Sequence, residues 1–348
     1  LKSCARECER RLGGSAGAIG EPCNHSVMGS ISYATTCAAV LFWAALAGSA
    51  SAECVSAPAL TPVVAETESG AGPTARDSSG RVVAPVFVNG QGPYRFIVDT
   101  GANRSVISSA LADELGLVST AMGEVHSIAN VAPAPLVNID SIAFQGLRLS
   151  SAAVPVMDSG AMLGEHGILG VDGLRGHRLR IDFQQRCMEI VRDTQRPSPE
   201  NWRSVRGEMR MGNLLLVRGS LDGVAVNVLI DTGSEITLAN HALRSALGRA
   251  QMRRVTMFLA MSTYMGSQQY TNVALTLPNL SMDGVTIRNL TAYPADFHIF
   301  NLWGLQDEPT LLIGMDPLSQ VGALEIDYTS ARLYFRRGRV DSLRGMNY

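Results

Sequence analysis

The chain repeats itself around one tripeptide. Asp99-Thr100-Gly101 and Asp231-Thr232-Gly233 follow the apolar runs Phe96-Ile97-Val98 and Val228-Leu229-Ile230, and precede the small residues Ala102 and Ser234. Average residue usage predicts roughly 0.1 such tripeptides in a chain of this length. A tripeptide alone is weak evidence, so its surroundings decide. Upstream, Arg81 to Val88, Asn89-Gly90 and Tyr94 to Val98 match Leu214 to Arg218, Asp222-Gly223 and Val224 to Ile230. Asn-Gly and Asp-Gly between apolar runs are strong hairpin signals, because these residues tolerate positive φ. Each aspartate is therefore expected at the end of a hairpin's return strand.

The downstream patterns also match. Val106-Ile107 and Ile236 to Leu238 are expected as short β segments. Ser108 and Asn240 are good N-cap residues, opening short helices over 109–115 and 241–247 that Gly116 and Gly248 end. The cap stands nine residues after the aspartate in both copies (99 to 108, 231 to 240), and the glycine seventeen (99 to 116, 231 to 248). Ile168-Leu169-Gly170-Val171-Asp172 is echoed by Leu312-Ile313-Gly314-Met315-Asp316, and Leu179 to Phe183 by Leu324 to Tyr328. Final strands are expected at Met188 to Val191 and Arg332 to Phe335. Two copies of one β-rich unit demand two like lobes.

Matched carboxylates point to a pair sharing one proton. Two carboxylates a few ångströms apart do not both ionise easily, so one pKa falls and the other rises. The ionised member can take a proton from water while the protonated one polarises a scissile carbonyl. This chemistry needs neither a metal nor a cofactor, and none is expected. Thr100 and Thr232 can hydrogen-bond across the lobe interface. Gly101 and Gly233 leave room for close backbone approach.

Each unit resembles a retropepsin-type aspartic protease lobe: hairpin, Asp-Thr-Gly loop, short helix, flap region, apolar-apolar-Gly, helical turn, final strand. The whole is similar to the periplasmic or secreted retropepsin-like proteases of bacteria, with two lobes fused as in pepsins. The resemblance covers residues 81–340. It implies an all-β acid-protease fold: two pseudo-symmetric β-barrel lobes with a short helix in each. It implies an aspartic endopeptidase with Asp99 and Asp231 catalytic. Thr100, Gly101, Ala102, Thr232, Gly233 and Ser234 would support the active-site loops, with Gly170 and Gly314 structural behind them. Ser234 can donate to Asp231 while Ala102 cannot do so for Asp99. Similarity to pepsin-like sites then makes Asp231 the more readily ionised member. Flaps are expected at Gly123 to Pro135 and Phe258 to Tyr270. There Tyr264 or Tyr270 either closes over substrate or packs within a hairpin.

The remaining features are read from the residues. Asp172 and Asp316 are expected to cap the helical turns that follow them, and Asp182 and Asp327 to satisfy local backbone groups. Tyr293 to Glu308, with Phe297, Phe300 and Trp303, is an insertion relative to the first lobe that lines substrate pockets or caps a barrel. A formal net charge of −2 argues against a nucleic-acid or polybasic membrane partner. The arginine clusters at 175–180 and 332–339 are expected as solvated strand ends. Motifs for zinc peptidases, serine hydrolases and phosphate loops are missing from the sequence. Gly90-Gln91-Gly92 is a turn rather than a dinucleotide fingerprint.

The first 80 residues differ in character. Residues 1–52 are expected as a leader, with an apolar stretch from Cys37 to Ala47 too short to span a bilayer and an Ala50-Ser51-Ala52 cleavage site. The product would be exported, periplasmic or extracellular, with an uncleaved anchor as the alternative. Residues 53–80 are expected as a flexible tether, 81–195 and 211–340 as the lobes, and 196–210, with Pro197 and Pro199, as the linker. Cys54 and Cys187 either form a disulfide or remain thiols. The expected state is a monomer acting on protein or peptide substrate. The competitors are a catalytically silent peptide-binding or scaffold protein of the same fold, and a protease assembled by pairing lobes between chains. The short linker and unequal lobes favour pairing within one chain.

Overall fold

Both hairpin signals form hairpins in the computed structural model, which describes residues 69–145, 147–192, 202–248, 253–256, 259–263, 266–270 and 273–337. Asn89 and Gly90 take φ of 50° and 74°, Asp222 and Gly223 of 49° and 87°. These angles fold Val82–Val88 back onto Gln91–Val98, and Leu214–Leu221 onto Val224–Ile230. Asp99 and Asp231 each follow directly on a return strand. The expected leader, Cys54 and most of the expected tether lie outside the described residues.

Each aspartate strand then gains a partner from far along the chain. Gly167–Leu169 runs parallel to the Asp99 strand and antiparallel to Val106–Ser108. Thr310–Ile313 does the same between the Asp231 strand and Leu238–Ala239. These inserted strands are buried throughout and apolar apart from Thr310, as strands covered on both faces must largely be. The caps also form. Ser108 Oγ accepts from Leu111 N at 3.1 Å and opens α1 (Ser109–Glu114). Asn240 Oδ1 accepts from Leu243 N at 2.9 Å and opens α2 (His241–Leu247). Two further short helices, α3 (His298–Leu302) and α4 (Met315–Leu318), belong to the second lobe. The fold is all-β, two like lobes carrying a few short helices.

A run of six antiparallel strands within the larger sheet joins the lobes, in the order Ser69–Pro73, Cys187–Arg192, His177–Asp182, Ala323–Asp327, Arg332–Arg336, Arg203–Arg210. Its two outer strands correct the expected boundaries. Ser69–Pro73 and Ala75–Arg76 lie inside the stretch read as a tether, and Arg203–Arg210 inside the stretch read as linker. Ser69–Pro73, at the sheet edge, owes its form to a partner rather than to its own apolar pattern, and Arg203–Arg210 is held between Arg332–Arg336 and Leu214–Leu221. Cys187, at a strand end, is disulfide-bonded.

At the centre Arg180 pairs with Glu325 across the lobe boundary. Arg180 grips Glu325 Oε2 with Nε at 2.7 Å and Nη2 at 2.5 Å. Arg178 lies 3.1 Å from Asp327 and 3.7 Å from Glu325, and Arg336 2.6 Å from Asp182. Trp202 covers Arg180 and Arg336, whose guanidinium carbons lie 4.7 and 5.7 Å from its ring centre. These arginines are therefore not solvated strand ends: the acids of the opposite lobe hold them within the sheet. Asp182 and Asp327 also cap the turns that follow. Asp182 Oδ1 accepts from Gln184 N and Gln185 N, and Asp327 Oδ1 from Thr329 N and Ser330 N.

Glu325 is wholly buried, so neutralising it leaves two arginines short of their counter-charge. Glu325→Gln is expected to cost about 3 kcal/mol of stability, measured from urea unfolding. A loss below about 1 kcal/mol, the level of a solvated pair, would contradict this account.

Candidate active site

The two Asp-Thr-Gly loops meet where the lobes meet. Each threonine hydroxyl donates to the carbonyl just before the opposite aspartate: Thr100 Oγ1 to Ile230 O at 2.7 Å, Thr232 Oγ1 to Val98 O at 2.6 Å. Each also accepts from the other threonine's amide, at 3.1 Å (Thr232 N) and 3.2 Å (Thr100 N). Both threonines are buried, so four hydrogen bonds satisfy six polar groups reciprocally across the interface.

This crossing brings the aspartates together. The Asp99 and Asp231 carboxyls approach each other closely, each packed against the other's loop glycine, and are 8% and 4% exposed. Asp99 Oδ1 accepts from Gly101 N at 2.8 Å; Asp231 Oδ1 accepts from Gly233 N at 2.8 Å and Ser234 N at 3.1 Å. A Cβ on Gly101 would lie 2.6 Å from Asp231 Cγ, and one on Gly233 would collide with the Asp99 carboxyl. Only glycine lets each loop pass this close to the opposing acid.

A second matched layer holds the loops from behind. Asp99 N donates to Leu169 O at 3.0 Å, and Asp231 N to Ile313 O at 2.9 Å. Gly170 N donates to Ser105 Oγ and Gly314 N to Thr237 Oγ1. Those hydroxyls donate to Asp172 Oδ1 and Asp316 Oδ1, both at 2.7 Å. Asp172 and Asp316 thus act through Ser105 and Thr237, where helix capping was expected. Gly314, with no side-chain capping bond, stands at the N-cap of α4. Ala102 and Ser234 hold the same layer through their carbonyls, which accept from Val171 N and Met315 N.

Burial raises both dyad carboxyls above the ordinary aspartate range. For Asp99 the Asp231 hydrogen bond, the Gly101 amide and the Arg81 charge pull the other way. For Asp231 the charge on Asp99 adds to its burial, while the Gly233 and Ser234 amides pull the other way. The Ser234 hydroxyl donates to Ile236 O at 2.8 Å, so only its amide serves Asp231. Asp316 is pushed up to about 6, by burial.

The dyad opens into a cleft of about 360 Å³ with apolar walls, among them Val125, Ile128, Met157, Leu214, Leu302 and Trp303. The hairpin of Ser119–His126 and Val131–Phe144 covers it where the first flap was expected. Its tip is closed on itself through Ser127 and Asn130, and reaches the second lobe. Ile128 O accepts from Ile299 N at 3.2 Å, and the His126 and His298 rings, 11° from parallel, are joined by a 2.9 Å hydrogen bond. In the second lobe Leu259–Thr263 and Gly266–Tyr270 form a hairpin. Tyr270 ends it, and Tyr264 lies outside the described residues. The segment read as an insertion takes both roles offered for it: Ile299, Leu302 and Trp303 line the cleft, while Phe297 and Phe300 are buried in the core. Nothing in the sequence marked Met211 or Leu214 as cleft residues, because both belong to a hairpin with an ordinary apolar pattern.

A protein-family model described as aspartyl protease matches the chain at residues 84–172 and 217–316. Each match contains one Asp-Thr-Gly loop and one apolar-apolar-Gly strand end. No curated protein matches the chain.

Two measurements probe this geometry. Thr232→Val orphans Val98 O and Thr100 N and should cost about 3 kcal/mol in urea unfolding; a neutral result would show that the crossing does not bind the lobes. Asp316 holds a proton in the native state that the unfolded chain releases, from about pH 4 upward. Its contribution to stability is therefore present at low pH and lost as pH rises through about 6. Asp316→Asn should flatten that part of the stability–pH curve, and an unchanged slope would refute the assignment.

Proposed function

Because the chain belongs to the aspartyl protease family, we propose that it is an aspartic endopeptidase whose two half-sites, Asp99 and Asp231, act as one dyad. The observation that carries this reading is the close approach of two buried carboxyls at the floor of an apolar cleft. Such a pair holds one proton over a range of acidic to neutral pH. Its ionised member takes a proton from water as the water oxygen bonds to the peptide carbonyl carbon, and its protonated member gives a proton to the carbonyl oxygen. The burial that raises both carboxyls keeps the singly protonated form populated. A cleft with apolar walls suits an extended peptide, and the flap hairpin closes over it to exclude water. We read the leader as an export signal, so the protein would act as a monomer in the periplasm or outside the cell.

A silent scaffold of the same fold would not need the dyad's matched support. Here both loops keep their glycines, their crossed threonines and their backing strands. Purified chain incubated with a denatured protein at several acidic pH values should cleave it, with a bell-shaped pH profile. Asp99→Asn and Asp231→Asn should each lower kcat by about 10³-fold or more. Activity surviving either change would overturn the dyad.

A further inference from the structure

The lobes repeat each other closely, yet the residues opposite the two aspartates differ. In the first hairpin Val83 pairs with Ile97, so two more residues of antiparallel register set Arg81 opposite Asp99. On its other side Ala75 pairs with Val83, which sets Asp77 opposite Arg81. The bonds agree: Asp77 N donates to Arg81 O at 3.1 Å, and Arg81 Nε to Asp77 Oδ2 at 2.6 Å. Asp77, Arg81 and Asp99 thus line up as acid, cation and acid just past the ends of three adjacent strands, and the Arg81 charge acts on Asp99. Cross-strand neighbours share a face, so the row is contiguous. The side chains of Asp77 and Arg81 are 1% and 7% exposed, so solvent screens this row little.

In the second hairpin Leu216 pairs with Leu229, and the same step sets Leu214 opposite Asp231. Leu214 is buried and uncharged. Beyond it, Arg210 pairs with Leu214 one strand farther out, is half exposed, and binds Glu208 at 3.0 Å. Other groups nearby do not restore the balance. Arg104, at the cleft, donates to Ala153 O. The Tyr328 hydroxyl, within electrostatic reach of Asp99, is buried without a hydrogen-bond partner among the described residues and carries no charge.

We propose that Arg81, held by Asp77, is a positioning residue for the dyad's single negative charge: it keeps that charge on Asp99 and leaves the shared proton on Asp231. This rests on the dyad reading above and assigns its two roles. Asp99 accepts the water proton as the water oxygen bonds to the carbonyl carbon, and the carbonyl oxygen takes the proton of Asp231. On collapse the gem-diol returns a proton to Asp231. The C–N bond breaks, and the leaving nitrogen takes the proton from Asp99. Both acids end as they began.

Titration of ¹³C-labelled aspartate carboxyls decides the assignment without any turnover. In Asp231→Asn the surviving Asp99 should titrate about one pH unit or more below the surviving Asp231 of Asp99→Asn. Equal midpoints, or the opposite order, overturn the proposal. Adding Arg81→Met should close the gap, and Arg81→Lys should keep it. Where Arg81→Met alone strands the buried Asp77 and fails to fold, the neutral pair Asp77→Asn with Arg81→Met replaces it. A gap that persists without the cation is likewise fatal. In the intact dyad, Arg81→Met should move the acid limb of kcat/KM upward while KM holds. A wild-type chain that cleaves nothing would sink the protease reading, and the carboxyl titration would still decide where the charge resides.

Discussion

The crossed hydrogen bonds of Thr100 and Thr232 are the contact on which the active-site geometry depends. Each hydroxyl both donates and accepts across the boundary, so neither loop is satisfied alone. The carbonyls they bind, at Val98 and Ile230, come directly before the aspartates. Carboxyl position is therefore set one residue away from the bond that joins the lobes. Burial removes water as an alternative partner, which makes a broken crossing costly.

A second constraint sits away from the cleft. The joining sheet carries charge on its buried surface, with arginines and acids from opposite lobes paired through its centre. Buried ion pairs add modest net stability but penalise mismatched partners severely. They suit an interface that must hold one register, since a slip there would carry the crossed threonines out of reach. The sheet and the crossing thus fix the same relation between lobes from two positions.

Much of this was legible from residue spacing. Hairpin turns, N-caps and C-terminal glycines depend on local backbone preference, and Asn89-Gly90, Ser108, Asn240 and Gly248 behave as their types require. The failures share one cause, which is that the deciding partner is distant. Ser69–Pro73 has no strand pattern of its own and becomes a strand beside Cys187–Arg192. Arg178 and Arg180 look like solvated ends until acids 145 to 149 residues later face them (180 to 325, 178 to 327). Ser234 stands where it could serve Asp231, but its hydroxyl finds Ile236 O instead. The Arg81–Leu214 contrast escapes counting too. Arg81 precedes its aspartate by eighteen residues and Leu214 by seventeen (81 to 99, 214 to 231), because the first hairpin carries a bulge between Val86 and Val88.

By itself the sequence determined two β-rich units, each ending a hairpin strand in Asp-Thr-Gly with a capped helix at the same offset. Those features follow from local φ preferences, capping and apolar alternation, all of which act over a few residues. Only the tertiary structure decided which acid lies beside a cation, which arginines are buried, and what the flap touches. Each of these depends on strand register and on contacts between lobes, where a one-residue bulge changes a neighbour and no local signal records it.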